Sequence, residues 1–394
     1  MSEEQLKKSS PSFFNNPRNR SIIYQILLFI GLGYFFYTIV NNTLINMDER
    51  GIKSGFGFLS TTSGFDILMS LVPYDATYTY AHTFLVGLLN TILVSIVGII
   101  LATIVGFIVG IAYFSQNWLI KKLSIIYVEI FRNIPLLLQV FFWYGAVLAA
   151  LPSARESMSL GDVVFLNIKG LFFPGLIGES GSGIVYGSIA VAIGAIIFLK
   201  RWARKRQDLT GEQFPVLYAS LGLLFGLPLL ALLVTGFPFV WDMPALKGFN
   251  FKGGISVIPE LMALALALTI YTGAFIAEAV RAGVQSVPHG QTEAARSVGL
   301  RENRIMTLII VPQAMRVIVP LLNSEYQSLV KNSTLATAIG YPDLFNVFVG
   351  TSLNQTGQAI EIIFTTMAVY LLVNMIISFV MNRFNSGVAL TERK

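Results

Sequence analysis

Eight apolar stretches, each near the length that crosses a bilayer, leave this chain few ways to fold. They fall near residues 22–44, 83–113, 123–151, 185–200, 214–235, 257–284, 312–336 and 357–382. Lipid offers no hydrogen-bond partners, so each stretch must satisfy its own backbone, which makes it a helix. The expected fold class is an all-α integral membrane protein with about eight transmembrane helices. Composition agrees: 54% of the 394 residues are hydrophobic and 12% are charged, where a soluble domain carries about 25% charged residues. The first stretch has too long an apolar run, and no small-residue cleavage site, for a removed signal peptide. It is expected to stay as an anchor.

Basic residues gather in alternate connections. Lys7, Lys8, Arg18 and Arg20 precede the first stretch, and Lys121 and Lys122 follow the second. Lys200, Arg201, Arg204, Lys205 and Arg206 follow the fourth, and Arg281, Arg296, Arg301 and Arg304 follow the sixth. Arg383, Arg393 and Lys394 close the chain. With eight spans all of these lie on one side, and basic loops are retained in the cytosol. Both termini are therefore expected there, with the loops 45–82, 152–184 and 236–256 outside. The net charge of +6 reads as this topological signal and not as a nucleic-acid footprint. The domain reading is a tail over 1–21, an anchor over 22–44, a permeation domain over 83–382 and a tail over 383–394. Within 83–382, a core of 83–151 and 257–382 surrounds an insertion, 152–256, that holds two extra helices.

The chain has no cysteine, and its two histidines, His82 and His289, lie far apart. No metal ligand set and no nucleophile–base set is visible, so no catalytic residue is expected. What stands out is EAARSVGLRENRIMTLIIVP over 293–312, a mixed-charge segment between two spans. Thr292 is a candidate N-cap, Glu293 suits the positive end of a helix, and Gly299 suits a left-handed C-terminal stop. A second short helix is expected over 301–310, with Pro312 starting the next span. Ala294 and Ala295 are small enough for a partner's groove to approach closely. An ordinary interfacial helix is the plain alternative.

Several polar residues inside the spans are candidates for lining a solute path. Pro135 in FRNIPLLLQ breaks the third span between Arg132 and Gln139. Thr272 lies deep in the sixth, above a Glu278/Arg281 pair whose spacing of three favours a local ion pair. Asn323, Gln327 and Lys331 recur every four residues along one stripe of the seventh. A lysine in a span needs water, a partner or a substrate, so Lys331 or Arg132 would attract a carboxylate; pairing of Lys331 with Glu325 or Glu361 is the alternative. Gly87, Thr91, Ser95, Gly98, Ala102, Gly106 and Gly110 form a small-residue row in the second span, a signature of close helix packing, with a pore role open only near Asn90 and Ser95.

The 293–312 segment resembles the EAA loop of ABC importer permeases of the type I fold, whose pattern is carried here by Glu293, Ala294, Ala295, Gly299, Ile309 and Pro312. FRNIPLLLQ and YTGAFIAEAVRAGVQSVPHGQTEAARSVGL are similar to the polar amino acid branch, HisMQ-like permeases, and the length is most similar to the general L-amino acid permeases. One departure is Val311, where the pattern often has Leu. The resemblance implies a five-helix core and a dimer, often of two different permease chains. It implies two ATP-binding subunits that dock on the EAA helices and carry ATP and Mg, an extracytoplasmic amino acid-binding protein, and a bacterial inner membrane location. ATP binding would turn the permease outward and hydrolysis would reset it. The chain has no Gly-Lys dipeptide and so no phosphate-cradling Walker A motif of its own. Two readings compete: an ion-gradient-driven secondary transporter of amino acids, using Glu129, Glu278, Glu325 and Glu361, and a scaffold subunit without a path.

Overall fold

A computed structural model describes residues 17–49, 51 and 54–388, so the basic residues Lys7, Lys8, Arg393 and Lys394 lie outside the described residues. Among the described residues twelve α-helices carry the fold: α1 (Pro17–Glu49), α2 (Tyr80–Ala112), α3 (Trp118–Asn133), α4 (Leu136–Phe141), α5 (Ser182–Thr210), α6 (Val216–Thr235), α7 (Pro259–Gln285), α8 (His289–Ser297), α9 (Glu302–Ile305), α10 (Val311–Asn332), α11 (Leu353–Thr356) and α12 (Ala359–Val388). Seven helical stretches are long and apolar enough to cross a membrane, and the pair α3/α4 with its continuation to Ala150 makes an eighth, bent by 104°. The break falls at Ile134–Pro135, where proline supplies no N–H and pushes its predecessor out of the helical region.

Packing decides whether the bent pair crosses. The Cβ that a side chain at Gly106 would carry falls 2.4 Å from Ile276, and one at Gly110 falls 2.7 Å from Val280. Contacts therefore advance together along α2 and α7, so the two helices are parallel and start on the same side. The chain between them must cross an odd number of times. α5 and α6 form a hairpin that crosses and returns, so α3/α4 is a full, broken span. α10 runs the other way, with Thr103 of α2 bonded to Tyr326 and Gly283 of α7 beside Ile318.

The small-residue row of α2 is what lets these backbones meet. In lipid, close van der Waals approach replaces the hydrophobic drive between helices. Gly98 receives Leu329, Gly106 receives Ile276 and Gly110 receives Val280. α7 is the most enclosed span, with 67% of its apolar window buried. Asn90 and Ser95 are buried as well. Asn90 Nδ2 donates to the carbonyls of Met69 and Pro342, both at 2.9 Å, and so ties α2 to the loops at its starting end. These contacts give Asn90 a packing role within the chain.

The helical class is as expected, but the region between Ala150 and Pro259 also holds strands. β1 (Met158–Leu160), β2 (Val164–Asn167), β3 (Gly170–Phe173) and β8 (Ile255–Val257) form one antiparallel sheet. β4 (Gly175–Gly178) pairs with β5 (Phe239–Asp242), and β6 (Ala245–Lys247) with β7 (Asn250–Lys252). Strands before α5 thus pair with strands after α6 and close the base of that hairpin. Phe165, Phe172, Phe251 and Ala154 make a small core beneath them. At the same end of the molecule, the loop before α2 is fixed by Glu361 of α12, which accepts the Gly55 N–H.

Candidate functional site

The α7–α10 connection lies on the side opposite the strands. α7 ends at Gln285, and Pro288 caps α8, so the helix begins three residues before Thr292. Thr292 is not the cap: proline fixes a helix-compatible φ, and its missing N–H costs nothing in a first turn. Gln291 N–H bonds the Pro288 carbonyl at 3.0 Å.

The far end follows from Gly299. It adopts φ +80°, the Gly299 N–H donates to the Arg296 carbonyl at 2.9 Å, and the Leu300 N–H donates to the Ala295 carbonyl at 3.1 Å. This paired arrangement is a Schellman stop, and only a residue without a Cβ enters it free of strain. Arg296 Nε then bonds Glu302 Oε1 at 2.6 Å and clips α8 to α9 across the turn. That bond raises the pKa of the Arg296 guanidinium further above its ordinary value. Glu293 and Ala294 face outward, whereas Ala295 is buried.

The expected second helix over 301–310 is not separate. α9 passes through a π-helical stretch, Met306–Ile310, directly into α10, giving one helical run from Glu302 to Ile339. Pro312 sits in the first turn of α10 without ending the helix. The wide turn before it moves the carbonyls that a proline ring would otherwise strike. Ile309 is half-buried and Pro312 exposed.

The path candidates fall into separate places. Arg132 lies 3.8 Å from Glu278 and stacks on Phe275 at 5.1 Å. Glu278 also accepts from Arg281 Nε at 2.8 Å, the local pair expected from the spacing. With Glu129 and Tyr113 they line a cavity of about 240 Å³ between α2, α3 and α7. Gln139 is buried, and its Nε2 donates to the carbonyls of Phe131 and Ile134 at 3.1 and 3.0 Å, so its amide closes the helix break and is not offered to an open cavity. Thr272 is buried within α7.

Asn323 and Gln327 hydrogen-bond each other at 3.1 Å. Lys331 is exposed over a largely apolar groove of about 530 Å³ floored by Phe345, Ile363, Met367 and Tyr370. Among the described residues no ion pair to Lys331 is found, and Glu361 is engaged by Gly55. A further buried polar group was not anticipated from the sequence. Asp343 accepts from Tyr370 and from the Asn346 N–H, and Tyr341 donates to the Asn90 carbonyl at 2.9 Å. Its members come from α2, α12 and the turn between Ile339 and Phe345, and no local pattern links them.

A family model described as the binding-protein-dependent transport system inner membrane component matches residues 214–389. The chain is 48% identical to the general L-amino acid transport system permease protein AapQ of Rhizobium johnstonii, over 96% of this chain and 94% of that one. It is also 48% identical to the amino-acid ABC transporter permease protein YhdX of Escherichia coli, itself a provisional assignment, over 96% and 97%. It is 40% identical to the glutamate/glutamine/aspartate/asparagine transport system permease protein BztB of Rhodobacter capsulatus, over 95% of each chain. The chain belongs to the ABC transporter permeases, as a multi-pass inner-membrane subunit of a binding-protein-dependent system. The ion-gradient alternative finds no support in these relatives.

Proposed function

We propose that this chain supplies half of the translocation path of an ATP-driven, binding-protein-dependent amino acid importer, together with the helix through which its motor acts. The observation that carries the reading is α8: an outward-facing helix, stopped by Gly299 and clipped by Arg296–Glu302, placed between the most enclosed span and α10. Glu293 and Ala294 present the contact face to an ATP-binding subunit. Ala295 anchors the helix, while Gly299, Ile309 and Pro312 keep its shape. A push on α8 passes directly into α7 through Ser286–Pro288 and into α10 through α9. That geometry suits conversion of subunit closure into a relative movement of two packed spans.

The amino acid class rests on the names of the relatives, which are amino acid permeases. Arg132 and Lys331, in two separate places, are the cations that would draw a substrate carboxylate, with Asn323 and Gln327 on the same helix stripe as Lys331 and the buried Gln139 and Thr272 shaping the spans from behind. Two ATP-binding subunits hold ATP and Mg, a second and different permease chain completes the path, and an extracytoplasmic binding protein delivers the solute. Both termini are cytosolic. The chain itself performs no catalysis and binds no nucleotide.

The test is co-purification of the tagged chain from its native membrane in gentle detergent, comparing wild type with Glu293→Lys plus Gly299→Asp. An ATP-binding subunit retained by wild type and lost by the variant supports motor docking. Wild type that brings down no such subunit removes the importer reading. Lys331→Ala, assayed for uptake in proteoliposomes with ATP and binding protein, reports separately on the path: unchanged uptake takes Lys331 out of it.

A further inference from the structure

The α5/α6 hairpin ends in a charge pattern that neither docking nor translocation uses. Residues 182–199 of α5 carry no charge, and eighteen helical residues span about 27 Å, close to the hydrocarbon thickness of a bilayer. Lys200 therefore enters where the headgroups begin. Lys200, Arg201, Arg204 and Lys205 follow within one and a half turns, and all four are exposed.

Their spacing, at about 100° per residue, sets them on an arc about 140° wide. The buried positions of α5, Val185, Ala192 and Ala203, mark its side toward α6, and the basic arc is turned away from it. Arg206 points elsewhere: it bonds Glu212 at 2.7 Å and stacks on Trp202. The one acid on the arc, Asp208, lies a turn further from the membrane.

Three observations say what covers this face. α5 has 29 residues against 20 in α6, so its last turns overshoot the partner helix and the chain climbs back through 211–215. The returning Phe214 ring meets Trp202 at 5.4 Å, placing an aromatic pair at the level where such rings favour the membrane interface. The hairpin is also nearly bare of this chain's own residues, with only 11% and 6% of its most apolar stretches buried, which leaves that surface free to meet lipid.

We propose that Lys200, Arg201, Arg204 and Lys205 form a docking face for anionic phospholipid headgroups, which fastens the hairpin at its depth beside the permease core. Four cations directly beyond a span, aimed at lipid, match the pattern by which basic clusters hold acidic headgroups. The proposal requires only that α5 crosses the bilayer, and not which side its end faces.

The intact permease assembly is purified in mild detergent and exposed to equal amounts of phosphatidylglycerol and phosphatidylcholine, and the retained lipid is counted by native mass spectrometry. Wild type is expected to hold phosphatidylglycerol at least ~10-fold over phosphatidylcholine, with the preference shrinking as salt rises. K200Q/R201Q/R204Q/K205Q is expected to lose that preference, whereas K200R/R201K/R204K/K205R keeps it. The chain has no cysteine, so a single Gln213→Cys reports that the hairpin of each variant is still inserted. If the fourfold neutral variant does not insert, R201Q/K205Q takes its place. Equal retention of the two lipids by wild type, or an unchanged preference in an inserted neutral variant, overturns the proposal. So does loss of a co-purified protein, in place of phosphatidylglycerol, from that variant.

Discussion

At the scale of single residues, two glycines do different work. Gly106 is required by space: a methyl there meets Ile276 side-chain carbons at 2.4 and 2.5 Å and the Gly273 carbonyl at 3.0 Å. Gly106→Ala is expected to destabilise the α2–α7 contact by about 1–3 kcal/mol, the usual cost of overpacking. Thermal melting of the detergent-solubilised chain checks this, and Ile276→Ala in the same background should recover part of the loss. Gly299 is required by backbone angle, since its Cβ would meet nothing within 4 Å. Gly299→Ala should cost about 1–2 kcal/mol of local helix-stop stability, and Gly299→Asn less. ATP-binding subunit retention is expected in the order Gly, Asn, Ala, and retention by Ala equal to that of Gly would detach the stop from docking. Gly299 was legible because its demand is local. Thr292 misled because Pro288, four residues earlier, is the stronger helix start, and the two signals compete only in the folded chain.

At the scale of elements, the spans and the break at Pro135 could be read from hydropathy and a single proline. The strands could not. β1 and β6 have three residues each, too few for an alternating pattern, and the pairs β3–β8 and β4–β5 join strands that lie on either side of a two-helix hairpin. The π-helical stretch before α10 was also hidden, because a continuous wide turn and a fresh helix start at Pro312 look alike in sequence. The ionic arm between α3 and α7 falls between these cases. The Glu278–Arg281 pair follows from a spacing of three, but the reach of Arg132 to Glu278 depends on the bend. Glu278→Gln removes the shared acceptor of two arginines that are only partly shielded. The expected stability loss is about 0.5–1 kcal/mol, larger at low salt. Arg132→Gln should lose less, because the Arg281 bond survives it. A melting comparison at two salt concentrations checks the ordering: no loss from Arg132→Gln would mean that Arg132 adds nothing across the helices, and a loss equal to that of Glu278→Gln would mean that the Arg281 bond adds nothing.

At the scale of the whole molecule, the parallel course of α2 and α7 sets the crossing parity, and parity makes the topology testable without any partner. The strands, the loop before α2 and the turn between Ile339 and Phe345 share one side. α8 and the α5–α6 turn share the other. The retention of basic loops in the cytosol predicts that the second side is the cytosolic one. Because the chain has no cysteine, each introduced thiol is unique. Thr77→Cys and Asn250→Cys are expected to react with a membrane-impermeant maleimide added to intact spheroplasts. Gln213→Cys and Ser297→Cys should react only after the membrane is opened. Thr77 tests α1, Asn250 tests the broken span α3/α4, and Gln213 tests α5. If Asn250→Cys labelled with the Ser297→Cys group, α3/α4 would be a re-entrant loop and α7 would have to run against α2. That is incompatible with Gly106 on Ile276 and Gly110 on Val280, so the whole helix packing would fall with it. If all four reacted with reversed sidedness, the packing would stand while α8 would face away from the compartment that holds ATP, and motor docking on it would be impossible.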